Sequence, residues 1–134
     1  MQVQSYLFMD GRAEEAIEFY KKALGATVTM LMRFKESPDQ AMCAPGSENK
    51  VMHAYMTIGE TGLMLSDGHN NGQPKFEGFA LSIATKTEAE ADKLFNALLD
   101  GGKVTMPQSK TFFSARFGML TDKFGVNWMI LVAQ

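Results

Sequence analysis

An internal repeat is the feature of this sequence that most limits the folds open to it. Three short segments recur, identical or conservatively changed, at an offset of about 75 residues. One residue is added before the third segment of the second copy. The segments are Glu15-Ala16 and Glu90-Ala91, Phe19-Tyr20 and Leu94-Phe95, and Val28-Thr29-Met30 and Val104-Thr105-Met106. The repeat therefore predicts two modules with the same order of elements.

Each module is predicted to contain a strand, a helix and then three strands. In the first copy the strands are predicted at 3–8, 27–34, 51–58 and 63–67, with the helix at 12–24, where apolar residues follow helical spacing. In the second copy the strands are predicted at 78–84, 103–106, 115–121 and 127–132, and the helix at 87–99 opens with a capping box at Thr87 and Glu90. We expect one α+β domain over residues 1–134, with βαβββ modules at 1–70 and 75–134.

Two segments connect these elements without regular structure of their own. The stretch 35–50, KESPDQAMCAPGSENK, is predicted to be a long loop of the kind that often covers a site. The stretch 68–74, GHNNGQP, is predicted to be the linker between modules. The sequence from Asp67 begins like a calcium loop, but its twelfth position is Gly78 where the ion needs a bidentate Glu, so a turn is expected.

The last hairpin, residues 112–132, has more apolar surface than two strands can hide. Its turn ends at Gly125, which tolerates the positive φ needed for chain reversal. The rest of the chain must therefore supply a sheet and a helix that cover this hairpin.

Composition excludes several classes of partner. With 46% hydrophobic residues and no apolar run near the ~20 residues that cross a bilayer, a membrane protein is not expected. The net charge of −2 offers no basic surface for nucleic acid. The single cysteine, Cys43, and the lack of a secretory signal at the start favour the cytoplasm.

His53 and Tyr55 are the first candidates for a functional role. They alternate along a predicted strand with Ala54 and Met56, so we expect them to face a cavity, where His53 could act as a base or a hydrogen-bond donor. The alternative is a histidine satisfied by its neighbours. His69 is expected to be a solvated loop residue.

Methionine and aromatic residues are the second group of candidates. The chain has 11 methionines, which either line an adaptable pocket or fill the core. Phe112, Phe113, Phe117 and Trp128 are suited to hold a flat ligand or to close a dimer interface. Arg116 is the best candidate for contact with an anionic group, and its alternative is an exposed strand charge.

Several segments together resemble a known family. The helix EEAIEFYKKALGA, the strands HAYMTIG and LMLSDG, and above all FG-x-x-x-D-x-FG-x-x-W from Phe117 to Trp128 resemble the PhnB-like branch of the vicinal oxygen chelate superfamily. This superfamily includes glyoxalases and bleomycin-resistance proteins, and the branch is often labelled 3-demethylubiquinone-9 3-methyltransferase. The resemblance implies paired βαβββ modules that form a curved mixed sheet with a cavity, and a homodimer.

The resemblance also allows a test for a metal site. Metal-using relatives hold a divalent ion with one side chain from the first and last strands of each module, and registration places these positions at Ser5, Met64, Gly78 and Met129. A register shift of one residue would add only Glu77 as a good ligand. We therefore expect no metal and no other cofactor.

The function predicted from the sequence is binding of a small apolar or aromatic ligand. The expected pocket residues are His53, Tyr55, Met64, Phe113, Phe117 and Met129. The alternative is an enzyme of lyase, isomerase or dioxygenase type, either metal-dependent or with His53 as general base, and a third possibility is an interaction module with a closed cleft. Methyl transfer is not predicted, because the glycine motif of common S-adenosylmethionine enzymes is absent from the sequence.

Overall fold

The computed structural model describes residues 1–68 and 74–134 and divides into two units, Met1–Pro74 and Lys75–Gln134. Each unit has the order strand, helix, strand, strand, strand, which confirms the predicted α+β fold of two βαβββ modules. Most of the predicted linker, including His69, lies outside the described residues.

The first unit is a four-stranded mixed sheet with one helix. Its strands are β1 (Ser5–Phe8), β2 (Thr27–Arg33), β3 (Val51–Ile58) and β4 (Thr61–Ser66), and its helix is α1 (Ala13–Leu24). The strand order is β1-β4-β3-β2, in which β1 runs parallel to β4 and the other pairs are antiparallel. The first strand of the unit therefore lies beside its last strand.

Helix α1 buries one face and ends at a glycine. Ala13, Ala16, Ile17 and Tyr20 are each at most 1% exposed, as the apolar spacing predicts, while Leu24 is only half-buried. Gly25 adopts φ 66°, and its backbone N–H donates to carbonyls of the last turn.

The carboxylate of Asp67, which directly follows β4, accepts hydrogen bonds at the start of α1. Oδ1 of Asp67 accepts hydrogen bonds from the backbone N–H groups of Gly11 at 2.7 Å and Ala13 at 2.9 Å, and Oδ2 accepts from Val51 at 3.0 Å. Arg12, at the N-cap position, makes no side-chain capping bond. Asp67 therefore has a structural role at the start of α1.

The second unit repeats this architecture. Its strands are β5 (Leu81–Thr85), β6 (Lys103–Ser109), β7 (Phe117–Thr121) and β8 (Asn127–Val132), its helix is α2 (Glu88–Leu99), and its strand order is β5-β8-β7-β6. Strand β5 begins later than predicted, because Gly78 has φ +79°, which is not an extended conformation. The side chain of Thr87 accepts from the N–H of Glu90 at 3.1 Å, which is half of the predicted capping box.

The repeat extends to an irregularity in the sheets. The register of β2 on β3 shifts between Val28 and Met30, and the register of β6 on β7 shifts between Val104 and Met106. These residues belong to the segment Val-Thr-Met that recurs in the sequence, so the two copies of this segment occupy equivalent places in the two units.

The long segment between β2 and β3 has two short 3-10 turns, Phe34–Glu36 and Gln40–Met42, and is otherwise irregular.

No helix in the described ranges is both long enough and apolar enough to cross a bilayer.

The motif FG-x-x-x-D-x-FG-x-x-W, from Phe117 to Trp128, is explained by the contacts of its residues in the structure. Asp122 is 3% exposed, and its carboxylate accepts from the N–H groups of Phe124 and Val126 at 2.9 and 3.0 Å and from the indole of Trp128 at 2.9 Å. Gly125 completes the turn at φ +90°. Gly118 leaves room for helix α2, since a Cβ there would lie 2.7 Å from the ring of Phe95.

We expect Asp122→Ala to lower the free energy of unfolding by about 3 kcal/mol or more, because several buried donors lose their acceptor. Asp122→Asn keeps one acceptor oxygen and should lose less. Urea denaturation followed by circular dichroism measures both values. Asp39→Ala is the control, since the exposed carboxylate of Asp39 accepts from the N–H of Ala41 at 3.0 Å and its loss should cost about 1 kcal/mol or less. Equal midpoints for wild type and Asp122→Ala would contradict this role.

Candidate functional site

Each sheet has one face covered by its helix and one face that is more open. In the first unit the buried strand residues include Leu7, Ala54, Met56, Leu63 and Leu65, all at most 4% exposed. The side chains that alternate with them are less buried, and they are Tyr6, Phe8, His53, Tyr55 and Met64. We call this second set, with Gln4 and Met30, the open face of the first unit.

Strand register places several of these side chains in one row. Tyr6 pairs with Met64, Met64 with Tyr55, and Tyr55 with Met30. Paired residues on neighbouring strands project to the same side of a sheet. The three pocket residues predicted for this unit, His53, Tyr55 and Met64, therefore share one face.

Tyr6 is a member of this face that the sequence analysis did not select. Its hydroxyl lies 2.9 Å from Nδ1 of His53, and the two rings stack with centroids 5.5 Å apart. The ring of Phe8 lies 5.0 Å from that of Tyr6. The sequence analysis could not find this contact, because Tyr6 is on β1 and His53 is on β3. Their positions depend on the parallel register of β1 on β4, which the sequence does not give.

Tyr55 is held by a second polar contact. The amide of Gln4 donates to its hydroxyl at 2.8 Å. The phenol lies over Gly62, where a Cβ atom would be 2.0 Å from the Tyr55 oxygen and 2.5 Å from Nε2 of Gln4. Glycine at position 62 is therefore required for this orientation of Tyr55.

The open face of the second unit is richer in methionine. Its row reads Ser82, Met129, Met119 and Met106 across the four strands. The predicted pocket residues Phe117 and Met129 lie on this face. Phe117 is only 5% exposed, and the ring of Phe113, 41% exposed, meets it edge-on at 5.1 Å.

Arg116 is already paired within its own unit. Its Nε donates to Oδ1 of Asp92 on α2 at 2.8 Å, and the amide of Gln108 donates to the same oxygen at 3.0 Å. Because a carboxylate already neutralises this guanidinium, the structure does not favour Arg116 as an anion-binding residue.

The charged pair with shifted pKa values joins β2 to α1. The guanidinium of Arg33 donates a hydrogen bond to Glu14, which lowers the pKa of Glu14 and raises the pKa of Arg33. This pair involves the helix-covered side of the sheet and does not polarise the open face.

The register corrects two of the positions assigned to an ancestral metal site. Ser5 pairs with Leu63 and therefore points toward the helix side, while Tyr6 is the partner of Met64. In the second unit the partner of Met129 is Ser82, because Gly78 precedes β5.

The corrected set is Tyr6, Met64, Ser82 and Met129, which contains no carboxylate or imidazole. Glu77 is exposed and also precedes β5. Within residues 1–68 and 74–134, no three His, Cys, Asp or Glu side chains come together as a metal site would require. These positions do not fit a hard divalent ion, which prefers oxygen and imidazole ligands.

A separate cleft of about 620 Å³ lies beside the long loop of the first unit. Its wall includes Phe34, Lys50 and Asp67, but none of the six predicted pocket residues. Lys50 donates to the carbonyl of Gly11 at 3.0 Å, and Asp67 caps α1. Because these charged groups already have structural partners, the open face is the stronger candidate.

We expect Gly62→Ala to displace Tyr55 and to break its bond with Gln4. The added methyl group overpacks the face, and the free energy of unfolding should fall by about 1–3 kcal/mol in urea denaturation. In a Tyr55→Leu background the same change meets no phenol, and the amide of Gln4 is a flexible side-chain end that can move aside, so the cost should be less than about 1 kcal/mol. An equal cost in both backgrounds would contradict this explanation of Gly62.

Comparison with known proteins identifies the family. The sequence profile described as 3-demethylubiquinone-9 3-methyltransferase matches residues 1–131. Protein YjdN of Escherichia coli is 32% identical over 142 residues, which cover 100% of this chain and 97% of that protein.

Solved structures agree with this assignment. Protein PA1353 of Pseudomonas aeruginosa is 38% identical with a TM-score of 0.89, over 100% of this chain and 98% of that one. A putative 3-demethylubiquinone-9 3-methyltransferase, PhnB protein, of Bacillus cereus is 30% identical with a TM-score of 0.83, over 99% and 100%. A glyoxylase/bleomycin resistance protein/dioxygenase domain of Frankia, 15% identical with a TM-score of 0.67 over 100% and 91%, shares the fold. The chain therefore belongs to the PhnB-like family described as 3-demethylubiquinone-9 3-methyltransferase, which has the glyoxalase/bleomycin-resistance fold.

Proposed function

We propose that this protein binds small apolar or aromatic molecules on the open face of each sheet, without a metal or other cofactor. The observation that carries the proposal is the open face of the first unit, where aromatic and methionine side chains stand half-buried beside hydrogen-bonding groups. The proposed binding residues are His53, Tyr55 and Met64 in the first unit and Phe113, Phe117 and Met129 in the second.

The chemistry of these side chains supports an apolar or aromatic ligand. Met30 and Met106, at the edge of the two rows, are 39% and 44% exposed. Thioether side chains are flexible and polarisable, and they make favourable contacts with aromatic rings. A ligand that covers such residues gains the free energy of burying their apolar area.

The residues at the ancestral metal positions support binding without a divalent ion. Met64 and Met129 offer soft thioethers, and Tyr6 and Ser82 offer neutral hydroxyls. Zinc, manganese and magnesium sites are built from imidazole, thiolate or carboxylate ligands. The proposal therefore includes no step in which a divalent ion activates a substrate.

Methyl transfer, named in the family description, is not part of the proposal. That reaction needs a binding site for a methyl donor. The sequence has no glycine-rich loop between a strand and a helix of the kind that nucleotide-like cofactors use.

We expect a panel of naphthalene and quinone compounds to contain ligands that raise the melting temperature. A ligand at about 100 times its Kd adds about 2.7 kcal/mol, which corresponds to a rise of at least about 5 °C for a domain of this size. Met64→Gln, which places an amide on the open face, should reduce the rise. Lys21→Gln, on the exposed side of α1, should leave it unchanged.

Two results would contradict the proposal. Absence of any shift at millimolar concentrations across the panel would argue against ligand binding. Elemental analysis of protein purified without chelator provides the second test, since stoichiometric zinc, nickel, manganese or iron would contradict a metal-free site.

A second candidate function is catalysis with His53 as general base. The hydrogen bond between the Tyr6 hydroxyl and Nδ1 of His53 favours it, because it fixes the orientation of the imidazole.

We expect an enzyme of this type to consume one of the panel compounds. His53→Ala should then lower the rate by at least about 100-fold while circular dichroism shows a folded protein. Binding without consumption of any panel compound would favour the binding function over this alternative.

The proposal extends to a homodimer in the cytoplasm. The exposed apolar residues Phe79, Val104 and Phe112 of the second unit support an association surface, since large apolar side chains are costly to leave in water. The single cysteine supports a reducing compartment.

A further inference from the structure

The open faces of the two units differ in a way that bears on ligand chemistry. Both rows place methionine on the last strand of the unit. Aromatic hydroxyl groups occur only in the first row, whose members are Tyr6, Met64, Tyr55 and Met30, against Ser82, Met129, Met119 and Met106 in the second. The first unit therefore carries the polar groups able to distinguish one aromatic ligand from another.

The ring of Tyr6 contacts two other rings. Phe8 lies 5.0 Å from the Tyr6 ring at an interplanar angle of 33°, and His53 lies 5.5 Å from it at 27°. The hydroxyl is 2.9 Å from Nδ1 of His53. A group that is positioned before binding loses little conformational freedom when a ligand arrives.

Tyr6 and His53 can each form further hydrogen bonds besides the one between them. If the hydroxyl donates to Nδ1, then Nε2 carries a proton and can donate, while the phenol oxygen can accept. If Nδ1 donates, the phenol O–H can donate and Nε2 can accept. In the described ranges, 1–68 and 74–134, Nε2 of His53 has no hydrogen-bond partner.

We propose, on the basis of the proposed binding function, that Nε2 of His53, whose ring is held by Tyr6, binds the hydroxyl group of an aromatic ligand. A hydroxyl both donates and accepts, so it can pair with Nε2 in either arrangement of the Tyr6–His53 bond. A hydrocarbon leaves Nε2 unsatisfied, and a half-buried polar group that loses water without a new partner weakens binding. The ligand class is thus a phenol-type compound with an apolar ring system.

Tyr55 provides a matched comparison on the same face. Its hydroxyl accepts from Gln4 at 2.8 Å and makes no bond with His53. Removing this hydroxyl by Tyr55→Phe changes the face by one oxygen atom, as Tyr6→Phe does, but leaves the Tyr6–His53 pair intact.

The test measures affinity for two probes by isothermal titration calorimetry. Naphthol and methylnaphthalene, substituted at the same ring carbon, differ only in a hydroxyl or a methyl group. Wild type should bind naphthol about 10-fold more tightly, since one good hydrogen bond is worth about that factor. Tyr6→Phe and His53→Phe should each reduce the preference to less than about 3-fold, because naphthol loses more affinity than methylnaphthalene, whereas Tyr55→Phe leaves the Tyr6–His53 pair in place and should change both affinities by a similar factor.

Each other outcome overturns the inference in a distinguishable way. If both probes bind wild type equally, the hydroxyl is not recognised, and the proposed binding function stands alone. If neither probe binds, the inference and the proposed function for this ligand class both fail. A preference that survives in both Tyr6→Phe and His53→Phe would assign recognition to other groups and overturn the role of the pair.

A second measurement uses the protein without ligand. Nitrogen NMR of the His53 ring reports which nitrogen carries the proton, and His53→Gln assigns the signals. Tyr6→Phe should shift the Nδ1 resonance, because the hydrogen bond to Nδ1 is lost. Unchanged ring resonances in a folded Tyr6→Phe variant would overturn the pair itself.

Discussion

Each unit of this protein has four strands and a single helix, and one helix can cover only one face of a sheet. The consequence is visible along β4, where Leu63 and Leu65 are at most 4% exposed while Met64 between them is only half-buried. Stability comes mainly from the covered face, through the burial of apolar area. The other face is left with side chains that can contact a ligand.

Two carboxylates hold the ends of these elements. Asp67 joins α1 to β3 and β4 through three backbone N–H groups, and Asp122 joins the hairpin turn of β7 and β8 to the indole of Trp128. Charged acceptors form stronger hydrogen bonds than neutral ones, and they satisfy donors that would otherwise be left unpaired at helix starts and turns. Asp67 and Asp122 therefore stabilise the scaffold.

The two units keep the same scaffold but differ on their open faces. The bulge next to Met30 recurs next to Met106, so the backbone has been retained in detail. At equivalent register, Tyr6 in the first unit corresponds to Ser82 in the second, and Tyr55 corresponds to Met119. Open-face residues can change because they do not determine how the helix packs on the sheet.

The sequence determined the order of elements, the repeat and the sidedness of the strands. Helical spacing identified Ala13, Ala16, Ile17 and Tyr20 as buried residues of α1, and alternation placed His53 and Tyr55 on one side of β3, since both patterns are local properties of the chain. The turn at Gly125 was also predictable, because its requirement for positive φ is local.

Only the tertiary structure decided which residues from distant strands meet. The sequence registered Ser5 with Met64 and placed Gly78 in a strand, whereas β1 and β5 pair with their partners so that Tyr6 and Ser82 occupy those positions. A shift of one residue moves every side chain of a strand to the opposite face. Parallel register between strands far apart in the chain is fixed by packing of the whole unit, so the Tyr6–His53 pair could not be derived from either strand alone.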